Sequence, residues 1–417
     1  MNIKLRLITM NFLQFFVWGA WLITIGNYWF GTKQWSGENF GMVFMTLGIS
    51  SLFMPTLMGI VADRWLNAEK LFGILHILSG IFVASLSLAD TPNSFFWIML
   101  AAMIFYMPTI ALTNTISYNA LKQNDLDVVK NFPPIRVWGT IGFIAAMWVT
   151  NLSGNKATEY QFYISAISAI ILGIYSFTLP KCPPQAEKTE NASFVEMFGL
   201  DAFKLFKNYK MALFFIFSML LGAALQLTNM YGDVYLDNFK DIPIYANSFV
   251  VQYSTIIMSI SQMSETLFIL TIPLFLNKFG IKKVILISMF AWVLRFALFS
   301  YGNPGDLLWM IILSNIIYGM AFDFFNISGS LFVETQVSSK IRASAQGLFM
   351  MMTNGFGAII GALGSGIIID TFFVNEGNKD WKGIWFTFSV YALLIAVLFA
   401  ISFKHKHDPN AIKEINH

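Results

Sequence analysis

The chain has 417 residues, 56% of them hydrophobic and only 12% charged, with a mean hydropathy of +0.63 and a formal net charge of +3. A soluble globule carries about 25% charged residues, so the composition excludes that class and indicates a polytopic membrane protein. The single cysteine, Cys182, excludes an intramolecular disulfide and any cysteine-based metal cluster.

A membrane-crossing helix needs about 20 mainly apolar residues. Twelve runs qualify, at roughly 8–30, 41–62, 71–89, 95–121, 137–153, 160–179, 211–236, 246–276, 284–301, 307–333, 343–372 and 383–403. Runs of this length, with Gly and Pro inside them, exclude a transmembrane barrel. The first run is full-length and lacks a small-residue cleavage site, so it is expected to be retained as a helix. With the N-terminus inside, the inner segments hold 20 Lys and Arg and the outer loops hold five, Lys33, Lys156, Lys240, Lys379 and Lys382. That asymmetry follows the positive-inside rule and places both termini in the cytoplasm. The expected fold class is an all-α membrane protein of twelve transmembrane helices.

The longest polar interruption, 181–209, divides the spans six and six. It predicts an N-terminal bundle over 1–180, a cytoplasmic linker over 181–209, a C-terminal bundle over 210–403 and a cytoplasmic tail over 404–417. Two loops half a chain apart support a pair of parallel repeats: Gly59 to Arg64 after the second span, and Asn277 to Lys283 after the eighth. Asp63 and Arg64 either end a helix at the headgroups or act as a latch, Asp63 meeting the positive N-terminus of the eleventh helix near Arg342.

In the first span Gln14, Trp18 and Trp21 share a face, a pattern that packing alone also produces. Asn114 and Tyr118 do the same in the fourth, near Pro108. Pro133 and Pro134 set the entry of the fifth helix, after which Arg136, Thr140 and Phe143 recur at i, i+4, i+7; Arg136 either joins that face or snorkels to the inner surface. In the seventh span Gln226 and Asn229 are i, i+3 neighbours, and their amides suit either a heterocycle, a sugar or interhelical hydrogen bonds. In the eighth, Glu265 stands near the middle of an apolar run with Gln262 on the same face. An ionisable group there costs at least about 2.5 kcal/mol on insertion scales and marks a substrate or proton path.

Arg295, near the outer end of the ninth span, is expected to snorkel outward. In the tenth, Tyr318 and Phe322 offer stacking surface, while Asp323 points about 100° away from Phe322, beside Asn326. The eleventh carries Gly355, Gly357, Gly361, Gly364 and Gly366, which permit close helix approach. His76 has no evident partner along its span, and the tail histidines His405 and His407 make a poor metal site.

Several segments carry a resemblance: Phe132 to Phe143, Phe214 to Gly222, Gln226 to Met230, Met258 to Pro273, Ala321 to Gly329 and Ile341 to Gly347. Together, and nearly end to end, the chain resembles the bacterial nucleoside:proton symporter family of the major facilitator superfamily. The Gly59 to Arg64 loop matches that superfamily's G-x-x-x-D-R motif but continues without its usual glycine and basic residues. The resemblance implies two pseudo-symmetric six-helix bundles, a bacterial inner-membrane location and proton-driven nucleoside import by alternating access. It implies a central site at Arg136, Thr140, Phe143, Gln226, Asn229, Gln262, Glu265, Tyr318 and Phe322, with Asp323 needed for transport. Glu265 and Asp323 both qualify as carriers of the coupled proton.

The expected ligands are purine and pyrimidine nucleosides such as uridine or adenosine. The proton gradient is the driving force, no cofactor, metal or nucleic acid is expected, and the chain is read as a monomer. A sugar or drug transporter of the same superfamily is the main rival. A non-transporting nutrient receptor is a second. An intramembrane enzyme would need a nucleophile and base pair or a metal cluster, neither of which the sequence supplies.

Overall fold

The structure is a computed structural model that describes residues 2–184, 200–338, 341–375 and 377–405. The chain forms helices α1 (Ile3–Gly19), α2 (Gly37–Arg64), α3 (Ala68–Ser85), α4 (Pro92–Gln123), α5 (Val128–Leu152), α6 (Tyr160–Ser176) and α7 (Tyr209–Asn238). After a single helical turn follow α8 (Ser254–Phe268), α9 (Ile272–Tyr301), α10 (Leu308–Gln336), α11 (Arg342–Met350), α12 (Ala358–Phe372) and α13 (Trp381–Ser402). The only strands among the described residues are a two-residue pair, Val374–Asn375 with Asn378–Lys379.

Nine helical stretches are long and apolar enough to cross a membrane among the described residues, against the twelve runs expected. Three local features account for the difference. The first run is interrupted, α1 ending at Gly19 and a π-helix forming over Asn27–Thr32. The sixth, Tyr160–Ser176, is a shorter apolar helix. The eighth and ninth runs fall in one stretch, Ser254–Tyr301, which is broken at Gly280 (φ 75°, ψ 166°), a left-handed conformation that glycine adopts without a side-chain clash.

The chain divides into two compact units, Met1–Ser193 with Asn229–Val234, and Phe194–Thr228 with Tyr235–His417. In the first unit α1 packs on α5, α2 on α4, and α3 on both α4 and α6. Leu7, Met10, Phe72, Leu75, Ile116 and Leu172 lie in its core. In the second, α9 packs on α10 and α13, and α8 on α10. Of the expected linker, residues 185–199 lie outside the described residues, and Leu200–Lys207 winds as a 3-10 helix.

Local chemistry explains where several helices begin. Thr91 and Ser94 form a reciprocal capping box ahead of Pro92, which satisfies free N–H groups of the first turn of α4. Asp127 caps α5 by accepting from Lys130 N at 3.2 Å, so α5 starts five residues before Pro133. The two prolines therefore lie inside the helix instead of setting its entry, and each removes one backbone hydrogen bond. Glu69, buried at the start of α3, accepts from Cys182 N at 2.8 Å and from Asn67 Nδ2 at 3.0 Å. This ties the chain after α6 to the entry of α3.

Candidate functional site

In the first unit Arg136, Thr140 and Phe143 occupy one face of α5, as their spacing requires. α5 and α1 meet backbone to backbone: a Cβ on Gly142 would stand 2.1 Å from Phe12 O. The Arg136 guanidinium carbon lies 4.0 Å from the Phe15 ring centroid on α1, within cation–π range. Half-buried, it is held against α1 rather than free at the inner surface. The Phe143 ring meets Trp18 edge-on at 6.3 Å, and Trp18 lies 5.8 Å from Tyr106.

Gln14, on the face of α1 read as semi-polar, is fully buried in a network of its own. Thr109 Oγ1 donates to Tyr106 O at 2.6 Å, so it accepts from Gln14 Nε2 at 2.8 Å. That fixes the amide, leaving Gln14 Oε1 to accept from His76 Nε2 at 2.7 Å. His76 thus has a partner, contrary to the reading from its span alone. The pair is 62 residues apart in sequence, a separation that single-helix periodicity does not register.

The second unit gathers most of the predicted residues. α8 and α10 approach so closely that a Cβ on Gly319 would stand 2.6 Å from Ser264 C and O and 2.7 Å from Glu265 N. Ser264 Oγ donates to Ile316 O and Ser261 Oγ to Asn315 Oδ1, the latter at 2.8 Å. These staples set Glu265 beside Tyr318. Tyr318 and Phe322 lie parallel, their planes 5° apart and centroids 5.7 Å apart. Asp323 is buried, and its Oδ2 has no hydrogen-bond partner among the described residues. Glu265 and Asp323 lie close enough to act on one another electrostatically.

Gln226 is buried and Gln262 half-buried, and the Oε1 of each is a buried acceptor with no hydrogen-bond donor among the described residues. Such an acceptor costs about 1–3 kcal/mol if left unmade. Asn229, half-buried, follows Gln226 by three positions on α7. A narrow cleft beside Phe322 is lined by Leu225, Trp292, Phe325, Asn326, Thr353 and Asn354. Asn326 donates to Phe322 O at 3.0 Å, so its amide is partly used within its own helix.

One other expectation changes. Arg295 does not snorkel: it is 0% exposed and enclosed by the bundle. Arg342 forms an ion pair with Glu334 at 2.9 Å, and Asp63 and Arg64 are exposed at the end of α2. His405 Nδ1 lies 2.9 Å from Lys210 Nζ and its ring 5.4 Å from Phe332. His407 lies outside the described residues.

Long apolar helices in two units, with carboxylates and amides inside them, define a helical membrane transporter of the major facilitator type. Residues 1–408 match the family described as Nucleoside H+ symporter, and the chain belongs to that family. It is 51% identical over 422 residues to the nucleoside permease NupG of Escherichia coli (strain K12), covering 100% of both chains. To the xanthosine permease of the same organism it is 51% identical over 415 residues, 99% of each. The crystal structure of the nucleoside transporter NupG superposes with a TM-score of 0.91, covering 97% of this chain and 100% of that one at 51% identity. A bacterial homolog of the human lysosomal transporter Spinster shares the fold alone, with a TM-score of 0.70 at 12% identity over 99% of this chain and 97% of that one.

Proposed function

We propose that the protein imports purine and pyrimidine nucleosides by alternating access across the bacterial inner membrane, each nucleoside accompanied by a proton. The observation that carries this reading lies in the second unit, where the closely packed α8 and α10 carry two parallel aromatic rings, the buried Gln262 oxygen and two carboxylates, and α7 carries a second buried amide oxygen, that of Gln226. A nucleobase presents a π-face and N–H donors, and a ribose presents hydroxyls. Stacking on an aromatic side chain contributes about 1–3 kcal/mol per base, and the Oε1 atoms of Gln226 and Gln262 accept from base or ribose. Asn229, Glu265, Tyr318 and Phe322 complete the contribution of α7, α8 and α10. Arg136, Thr140 and Phe143 contribute from α5.

Asp323 and Glu265 are the two proton carriers this reading offers. Burial in a low dielectric disfavours a charged carboxylate, so a proton taken up on one side of the membrane is retained until the group is rehydrated on the other. Coupling requires that proton and nucleoside favour each other's binding reciprocally. Asp63 and Arg64 act in this scheme as a cytoplasmic latch, twelve helices cross the membrane and both termini are cytoplasmic. The names of the permeases at 51% identity support a nucleoside over a sugar or a drug.

Radiolabelled uridine uptake in transport-deficient cells tests the reading. Uptake abolished by a protonophore and competed by unlabelled adenosine, but not by sugars, is expected. Absent uptake, or uptake indifferent to the gradient, would overturn it.

A further inference from the structure

Arg295 is a fully buried guanidinium inside a membrane-spanning helix, and no ion pair is made to it among the described residues. A charge in that position is costly and is functional by default. Arginine stays protonated under all physiological conditions, so its cost is not relieved by losing a proton.

Its surroundings are specific. Nη1 donates to Ser314 O on α10 at 2.6 Å, and Ser314 Oγ returns a bond to Arg295 O at 2.9 Å, clasping α9 to α10. Nε points to Thr228 Oγ1 on α7 at 3.5 Å, between Gln226 and Asn229 in sequence. The guanidinium carbon lies 4.8 Å from the Tyr318 ring centroid and 5.0 Å from that of Phe299. Trp292, one turn earlier on α9, meets Tyr318 edge-on at 5.9 Å and 89°. Tyr318 is therefore held by Arg295, Trp292 and the parallel Phe322 ring. Nη2 has no hydrogen-bond partner among the described residues.

We propose that Arg295 is a positioning residue for transport, holding the Tyr318 ring in place for the nucleoside. The proposal rests on the nucleoside reading above. It makes Thr228, Ser314 and Trp292 the supports of Arg295.

The test is uridine counterflow by purified protein in liposomes, with thermal unfolding reporting whether each variant is folded. Arg295→Met, Arg295→Gln and Arg295→Lys are compared with the parent. Arg295→Met should raise the half-saturating uridine concentration severalfold, with a smaller effect on the maximal exchange rate, as Tyr318 loses its support. Arg295→Lys should not restore the affinity, because an ammonium keeps the charge and lacks the planar fork. Arg295→Gln serves if the Met variant does not fold, with the same expected loss of affinity. A folded neutral variant with the parental uridine affinity, or a Lys variant that restores it fully, overturns the proposal. If the parent itself shows no uridine transport, the functional reading falls and the proposal with it.

Discussion

Asp323 and Glu265 differ in what surrounds them, and substitution should separate their roles. Asp323 is buried with one carboxylate oxygen unmatched, whereas Glu265 lies half-buried on α8 in line with Gln262. Asp323→Asn keeps the shape and removes the titration. It is expected to lose accumulation of uridine against a gradient while retaining counterflow, measured in the same liposomes. A variant that still accumulates would exclude Asp323 as the carrier. Gln262→Ala removes a buried acceptor and should weaken uridine binding by about 1 kcal/mol, roughly fivefold, in a direct binding measurement. At this scale the sequence was readable where function leaves a polar residue in an apolar run, as at Glu265, Gln262 and Asp323. It was less readable where a side chain's direction decides the matter. Arg295 lies near enough to a span end to snorkel by arithmetic, yet its rotamer turns inward toward Ser314 and Tyr318.

The helix pair α8 and α10 is the element that brings the predicted residues together. Its close approach depends on Gly319, where added atoms would collide with the backbone of Ser264 and Glu265 at 2.6 to 2.7 Å. Gly319→Val should force the helices apart, lowering the unfolding temperature in detergent and uridine uptake together. A variant with parental stability and uptake would show that the helices do not meet as described. Helix existence followed from hydropathy, but boundaries followed from local chemistry that a hydropathy window blurs. Asp127 starts α5 ahead of two prolines, and Gly280 breaks a stretch that otherwise reads as one helix. The pairing of His76 with Gln14 depends on the fold bringing α1 and α3 within side-chain reach, a tertiary fact with no trace in either helix alone.

For the molecule as a whole, charge asymmetry predicts orientation, and Cys182 makes that prediction easy to test. Its thiol is buried, and burial followed by the nearby Glu69 and Asp63 charges pushes it up to about 11. Since the thiolate is the reactive form, its reaction at pH 7 is slow. An introduced exposed cysteine can therefore be read against it. In intact cells, a membrane-impermeant maleimide should label Asp306→Cys, on a loop expected outside, and spare Lys122→Cys, on one expected inside. The reverse pattern would invert the assigned topology. The membrane class and the family were legible from repeated apolar runs and segments such as Phe132 to Phe143. The exact number of crossings was not, because an interrupted first run and a short sixth helix fall below a simple length criterion.

The central claim is that nucleoside and proton cross together. Purified protein reconstituted in liposomes containing a pH-sensitive dye, with no imposed gradient, tests it directly. Adding uridine outside should acidify the lumen in the parent and leave it unchanged in Asp323→Asn. Uridine entry without acidification in the parent would contradict the account.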